Sequence, residues 1–220
     1  PGLVGELAER LGATVGVDND VNLAAIAERN RGVAREAGSF TLLWFGSGLG
    51  LAIDLGGTLL RGARGGAGEI GYMPLRPDDT GTDLHGLVGG RAVLTLAAGH
   101  GFPAATPEAA VASAIGAGAT PFVSALAERI ALAVATVAAV LDPPLVVLGG
   151  DVAQAGGAVL RDAVAHAFAA ATPFDTPIAV TALTDDAVLL GALDAGLRAV
   201  RETLIDSLRH TPVAPLPTPL

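Results

Sequence analysis

The chain has no cysteine, which excludes a disulfide framework and any thiolate-held metal. Lysine is absent too: all 13 basic residues are arginine, set against 22 acidic ones for a net charge of −9. That balance gives this stretch no basic face with which to neutralise nucleic-acid phosphates. No run of five like charges marks a charged tail. Aromatic residues make up 4% of the chain, with a single tryptophan and a single tyrosine, so an aromatic-lined binding surface is not expected. The most apolar stretch, residues 130–141, is about a dozen residues and stops at Asp142-Pro143-Pro144. Crossing a bilayer takes about 20, so this stretch is expected to be a buried core helix, with no membrane contact. No signal peptide opens the chain, and Pro1 stands where an initiator methionine would, which implies that the start has been cut away. The lack of cysteine fits a reducing cytoplasm.

What the chain does have is small and apolar. It is 51% hydrophobic and 16% charged, and it contains 30 glycines, enough for one large lobe or two smaller ones. Apolar residues at helical spacing predict helices near 3–11 and 21–28, then about 87–99, 107–116, 121–141, 158–171 and 185–205. Short apolar runs predict strands at 14–17, 40–45, 145–148 and 178–183. Residues 51–55 and 58–60 flank Gly56-Gly57, the pattern of a β-hairpin. Strands alternating with long helices give an α/β architecture. The proline-rich residues 210–220 are expected to be a disordered tail.

Two stretches carry the candidate chemistry. Asp18-Asn19-Asp20 follows a predicted strand and precedes a helix, which places it at the strand's C-terminal edge, where α/β sheets bind ligands. The helix dipole would keep Asp20 ionised and able to take a proton from a bound hydroxyl. Simple helix capping by Asn or Asp explains the same residues. The second stretch is Gly65-Gly-Ala-Gly-Glu-Ile-Gly-Tyr72, in which Glu69 is a single acid among glycines. A carboxylate can accept two hydroxyl hydrogen bonds, which suits a sugar, although a structural hydrogen bond remains the alternative. Gly46-Ser47-Gly48 and Gly149-Gly150 each follow a buried run, where bare backbone can approach a phosphate or simply turn the chain. His85 and His100 are lone histidines, and no pair has metal-ligand spacing.

Taken in order, these pieces resemble the ROK family (repressors, open reading frames and kinases) over roughly residues 3–205. The resemblance rests on Asn19-Asp20 with its Ala-rich helix ending in Glu28, on Gly46-Ser47-Gly48, on Gly66-Ala-Gly-Glu-Ile-Gly-Tyr72, and on Gly149-Gly150 after Asp142-Pro143. It implies an actin-like ATPase (ribonuclease H-like) fold whose lobes have a mixed sheet flanked by helices. Residues 1–37 with 189–209 would be the remnant of the smaller N-terminal lobe, and 38–188 the larger lobe. Asn19, Asp20, Glu69, Tyr72 and His85 would bind the ligand, with Asp20 the catalytic base in a kinase. Gly46, Ser47, Gly48, Gly149 and Gly150 would line the nucleotide cleft. Asp54-Leu-Gly-Gly-Thr58 mimics the family's first phosphate loop but falls after the Gly-Ser-Gly turn, so it is expected to be turn chemistry alone.

The departures from the family pattern are Tyr72, where zinc-bearing members have histidine, and the missing cysteine cluster. His85 stands where a sugar-touching glutamate is expected. No zinc and no other metal site is therefore expected, and ATP and Mg²⁺ only if the protein is a kinase. Three functions follow. The first is the effector-binding and dimerisation part of a transcriptional regulator, sensing a sugar or sugar phosphate and reaching DNA only through an upstream helix-turn-helix. The second is an ATP-dependent sugar kinase, and the third a non-catalytic assembly module. Loss of the histidine at 72 and the acid at 85 favours the regulator, because a sensor needs only differential affinity between two states. A homodimer in the cytoplasm goes with the family.

Overall fold

The computed structural model describes residues 2–75, 83–183 and 186–210. Five strands form one mixed sheet in the order β3-β2-β1-β4-β5. They are β1 (Phe40–Phe45), β2 (Leu49–Leu55), β3 (Thr58–Leu59), β4 (Val146–Gly149) and β5 (Ile178–Val180). The β1–β2 and β2–β3 pairs are antiparallel, whereas β4 runs parallel to both β1 and β5. β1 is central and buried almost throughout, as a strand covered on both faces must be. Alternation along it separates two cores. Leu43 and Phe45 join a cluster with Leu126, Ile130 and Val134 of helix α6 (Thr120–Leu141) and Leu160 of helix α7 (Gly150–Ala171). Phe40 and Leu42 join Val21, Ala24 and Ala25 of helix α2 (Asp20–Arg31) on the opposite face. Fold class and sequence reading therefore agree: a mixed sheet flanked by helices.

Helix α8 (Ala187–His210) lies across α2. The contact is backbone to backbone: a Cβ on Gly191 would stand 1.7 Å from the Leu23 carbonyl oxygen. One pairing locks α2 to α8 and another locks α2 to the sheet. Arg31 and Asn30 both donate to Asp194, and Arg29 reaches Asp54 on β2 while lying 5.0 Å over the Phe40 ring. Asp54 also accepts from the Gly57 N–H at 2.9 Å. The Asp54–Thr58 sequence is thus a hairpin turn held by an arginine.

Helix α1 (Gly2–Leu11) buries none of its residues, and Leu3, Leu7 and Leu11 stay exposed. Helix α6 is long and apolar enough to cross a membrane by length and composition only, and half of its apolar window is buried in the protein. It stops where Asp142 turns left-handed at φ 42°, ahead of Pro143 and Pro144.

The structure corrects several expectations. Residues 14–17 are not a strand: among the described residues no neighbouring strand takes their backbone hydrogen bonds, and an unpaired extended run has nothing to hold it. The helix expected over 87–99 is two, α3 (Leu84–Val88) and α4 (Gly90–Gly99), broken where Gly89 turns extended at ψ 163°. The helix expected at 158 begins instead at Gly150 and absorbs Gly156 and Gly157, with a kink at Gly157 (φ 50°). Helix α5 (Pro107–Gly116) matches its expected span. The expected tail, apart from His210, lies outside the described residues.

Candidate sugar-binding site

The Asn-Asp turn resolves into two jobs. Asn19 is the N-cap of α2, its Oδ1 accepting the Val21 N–H at 2.8 Å and the Asn22 N–H at 3.3 Å. Capping therefore accounts for Asn19 and leaves Asp20 as the first helical residue. One Asp20 oxygen accepts the Val21 N–H at 2.9 Å. Its other oxygen has no protein partner among the described residues. The turn is fixed from behind by Asp18, which accepts from Arg61 at 2.6 Å and from the Asn22 side chain at 3.2 Å. Burial pushes the Asp18 carboxyl up, but the hydrogen bonds from Arg61, Asn22 and the Asn19 N–H outweigh it and hold the carboxyl below its ordinary value.

Arg61 also opens the glycine-rich loop, and its carbonyl accepts the Ala67 N–H at 3.2 Å. The loop closes onto β2 at Gly68, whose φ is +92° and whose Cβ, if present, would stand 1.9 Å from the Leu51 carbonyl oxygen. No other residue fits there. Ile70 is buried and anchors the turn Ile70–Tyr72, while Glu69 just before it is exposed and makes no side-chain cap. Its carboxylate has no protein partner among the described residues. Gly46-Ser47-Gly48 joins β1 to β2, the Gly46 N–H donating to the Gly48 carbonyl at 3.1 Å, and the Gly90 N–H holds the Ser47 carbonyl at 3.2 Å.

These three turns meet at one cavity of about 220 Å³, where Asn19, Asp20, Ser47, Gly48 and Glu69 all form the wall. Two acceptor carboxylates lining one open cavity, with a hydroxyl and open backbone beside them, can hold a polyhydroxylated molecule. Val21, Trp44, Leu49, Gly50, Leu51, Ala67 and Gly68 complete the wall, and sequence reasoning gave Trp44 no part in it. Trp44 was hidden in an apolar strand, and only its partial burial sets it apart. The pairing of Asp18 with Arg61 was also missed, because a partner 43 residues away leaves no local signal.

The remaining candidates lie elsewhere. Tyr72 is 80% exposed and does not line the cavity. His85 packs behind the Gly46–Gly48 turn and lines a separate cavity, also bounded by Ser47. Gly149 and Gly150 are buried against β1. A Cβ on Gly150 (φ +84°) would stand 2.3 Å from the Phe45 carbonyl oxygen, and one on Gly149 would meet Trp44 at 3.1 Å. They line neither cavity, and their local role is close packing. Glu28 is 1% exposed and accepts the Val33 N–H at 2.6 Å and the Thr181 hydroxyl at 2.7 Å, so it pins the end of α2 to the segment after β5. Among the described residues no three His, Asp or Glu side chains gather as a metal site; Asp78 and Asp79 lie outside them.

Fold and site together define an α/β protein of the actin-like ATPase kind with a carboxylate-lined cleft. Residues 1–197 match the ROK family, and the chain belongs to it. It is 36% identical over 188 residues to the bifunctional enzyme NanE/NanK of Brucella suis biovar 1, covering 84% of this chain and 35% of that enzyme. The chain thus spans about a third of that relative's length. Among solved structures, a ROK hexokinase from Thermus thermophilus superposes with a TM-score of 0.73 at 30% identity, over 86% of this chain and 67% of the hexokinase. A ROK family transcriptional regulator, a homologue of the E. coli MLC protein, superposes at 0.74 over 87% of this chain and 54% of its own. At 21% identity, that second likeness is one of fold alone. ROK relatives thus include both kinases and a regulator.

Proposed function

We propose that this chain is the sugar-binding part of a cytoplasmic ROK sugar kinase, with Asp20 as general base. The observation that carries the reading is the pair of carboxylates, Asp20 and Glu69, lining one cavity with no protein partner among the described residues for Glu69 or for the outer oxygen of Asp20. Glu69 and the Asn19 amide hold hydroxyls of the sugar. Asp20 takes the proton of the acceptor hydroxyl as its oxygen bonds to the γ-phosphorus of ATP. The bond from that phosphorus to the β–γ bridging oxygen breaks, and ADP leaves. Mg²⁺ enters with the nucleotide, and Gly46-Ser47-Gly48 faces its phosphates. Residues 1–37 with 189–209 belong to the smaller lobe of this kinase, and 38–188 to the larger.

A second reading keeps the same cavity as the sensor of a dimeric transcriptional regulator, with DNA bound by an upstream helix-turn-helix. Tyr72 supports it, because a side chain that is outward-facing and not histidine gives position 72 no part in sugar binding. The full-length protein, assayed with ATP–Mg²⁺ against a sugar panel, separates the two. Turnover above about 1 s⁻¹ that disappears in Asp20→Asn supports the kinase. Sugar binding without turnover supports the regulator.

A further inference from the structure

A second cavity, of about 590 Å³, lies across the Gly46–Gly48 turn from the carboxylate pair, and Ser47 lines both. Its character is opposite. His85, Arg91, Thr95 and Arg129 line it, and among the described residues no Asp or Glu does, in a chain carrying 22 acidic residues. These side chains are placed by the fold. The His85 ring is bracketed by bare glycines: a Cβ on Gly48 would meet its Cε1 at 3.4 Å, and one on Gly89 would meet its Nε2 at 3.1 Å. Arg129 is tied to the Leu87 carbonyl at 3.3 Å. Arg91 has no side-chain partner among the described residues, and α4 begins beside it with Gly89 as an N-cap that offers no side chain to its first N–H groups.

We propose that this second cavity receives the phosphate of a sugar phosphate whose hydroxyls rest against Asp20 and Glu69. The proposal deepens the sugar-binding reading above and rests on it. Guanidinium groups form paired, charge-assisted hydrogen bonds to phosphate oxygens, and Ser47 and the His85 ring add donors. A neutral sugar has no group to match them. Ser47 lines both cavities, so they adjoin at that residue, and the proposed ligand sets its alcohols on the acidic side and its anion on the basic side.

Calorimetry on the full-length protein tests this, with inorganic phosphate, glucose, glucose 1-phosphate, glucose 6-phosphate and AMPPNP as separate probes. Inorganic phosphate is expected to bind, and Arg91→Gln to weaken it about tenfold, the effect of losing a charge-assisted pair. His85→Gln is expected to weaken it in the same direction, with thermal unfolding confirming that both variants fold. A glucose phosphate is expected to bind about tenfold more tightly than glucose, and the ratio to approach one in Arg91→Gln. Phosphate that does not bind, or binds equally to wild type and Arg91→Gln, overturns the proposal. So does a loss confined to AMPPNP, since the anion would then be the nucleotide's. If no sugar binds while phosphate binds and is lost in Arg91→Gln, the cationic cavity stands and the sugar reading falls.

Discussion

Arg61 clasps Asp18 across 43 residues of sequence, its guanidinium 2.6 Å from Oδ2. That one contact joins the turn carrying Asp20 to the loop carrying Glu69. An ion pair that touches neither carboxylate thus ties together the two segments that carry them. Replacing Arg61 with Gln is expected to weaken sugar binding by no more than about tenfold, since a half-exposed ion pair contributes ~1 kcal/mol or less. The same loss should appear in wild type as salt rises. Calorimetry at two ionic strengths checks it.

Acid should loosen the same contact. Asp18 and Asp194 both have carboxyls held below the ordinary 3.8. For Asp18, burial raises the value and the Arg61, Asn22 and Asn19 bonds outweigh it; for Asp194 the hydrogen bond from Arg31 dominates. A carboxyl depressed by folding stabilises the protein above its unfolded value and loses that contribution as pH falls through the folded one. Stability should therefore drop as pH goes below about 4, and the drop should be shallower in Asp194→Asn. Urea unfolding at a series of pH values from 6 downwards reads the difference.

Val21 fills the space that a side chain on Gly50 would need: a Cβ there would lie 2.5 Å from the Val21 Cγ2. Gly50→Ala should push the start of α2 away from β2, at a cost of about 1–3 kcal/mol of stability and a loss of sugar affinity through Asp20. Val21→Ala in the same chain should recover part of both. Thermal unfolding paired with calorimetry on the single and double variants measures the rescue.

Gly68→Ala should be more damaging, because the residue is at φ +92° and its new methyl would strike the Leu51 carbonyl. A loss above about 2 kcal/mol is expected, together with loss of the Glu69 contact. By contrast Gly65→Ala, at φ +75° with open space around it, should cost only backbone strain of about 1 kcal/mol. Chemical unfolding of the two variants side by side separates collision from strain.

Local chemistry carried most of the fold. The apolar run at 40–45 became β1, Gly56-Gly57 made its hairpin, and Asn19 capped its helix as short polar side chains do. Where the sequence misled, the cause lay in tertiary structure. Residues 14–17 have strand-like composition but no ladder partner among the described residues, and Gly156-Gly157 disguised the first two turns of α7. At the site, Asn19, Asp20, Ser47, Gly48 and Glu69 reached one cavity, because each sits on a turn whose direction glycine or Asx chemistry sets. Tyr72, His85 and the Gly149-Gly150 pair were grouped with them by motif. Their orientation depends on which strand each turn packs against, and no spacing rule conveys that.

A double-mutant cycle on sugar binding, measured by calorimetry in the full-length protein, tests the central assignment most directly. Asp20→Asn and Glu69→Gln should each weaken the best-binding sugar about tenfold or more, and together lose a different amount from the sum of the two, as expected when both groups grip one ligand. Affinity unchanged in both single variants would contradict it.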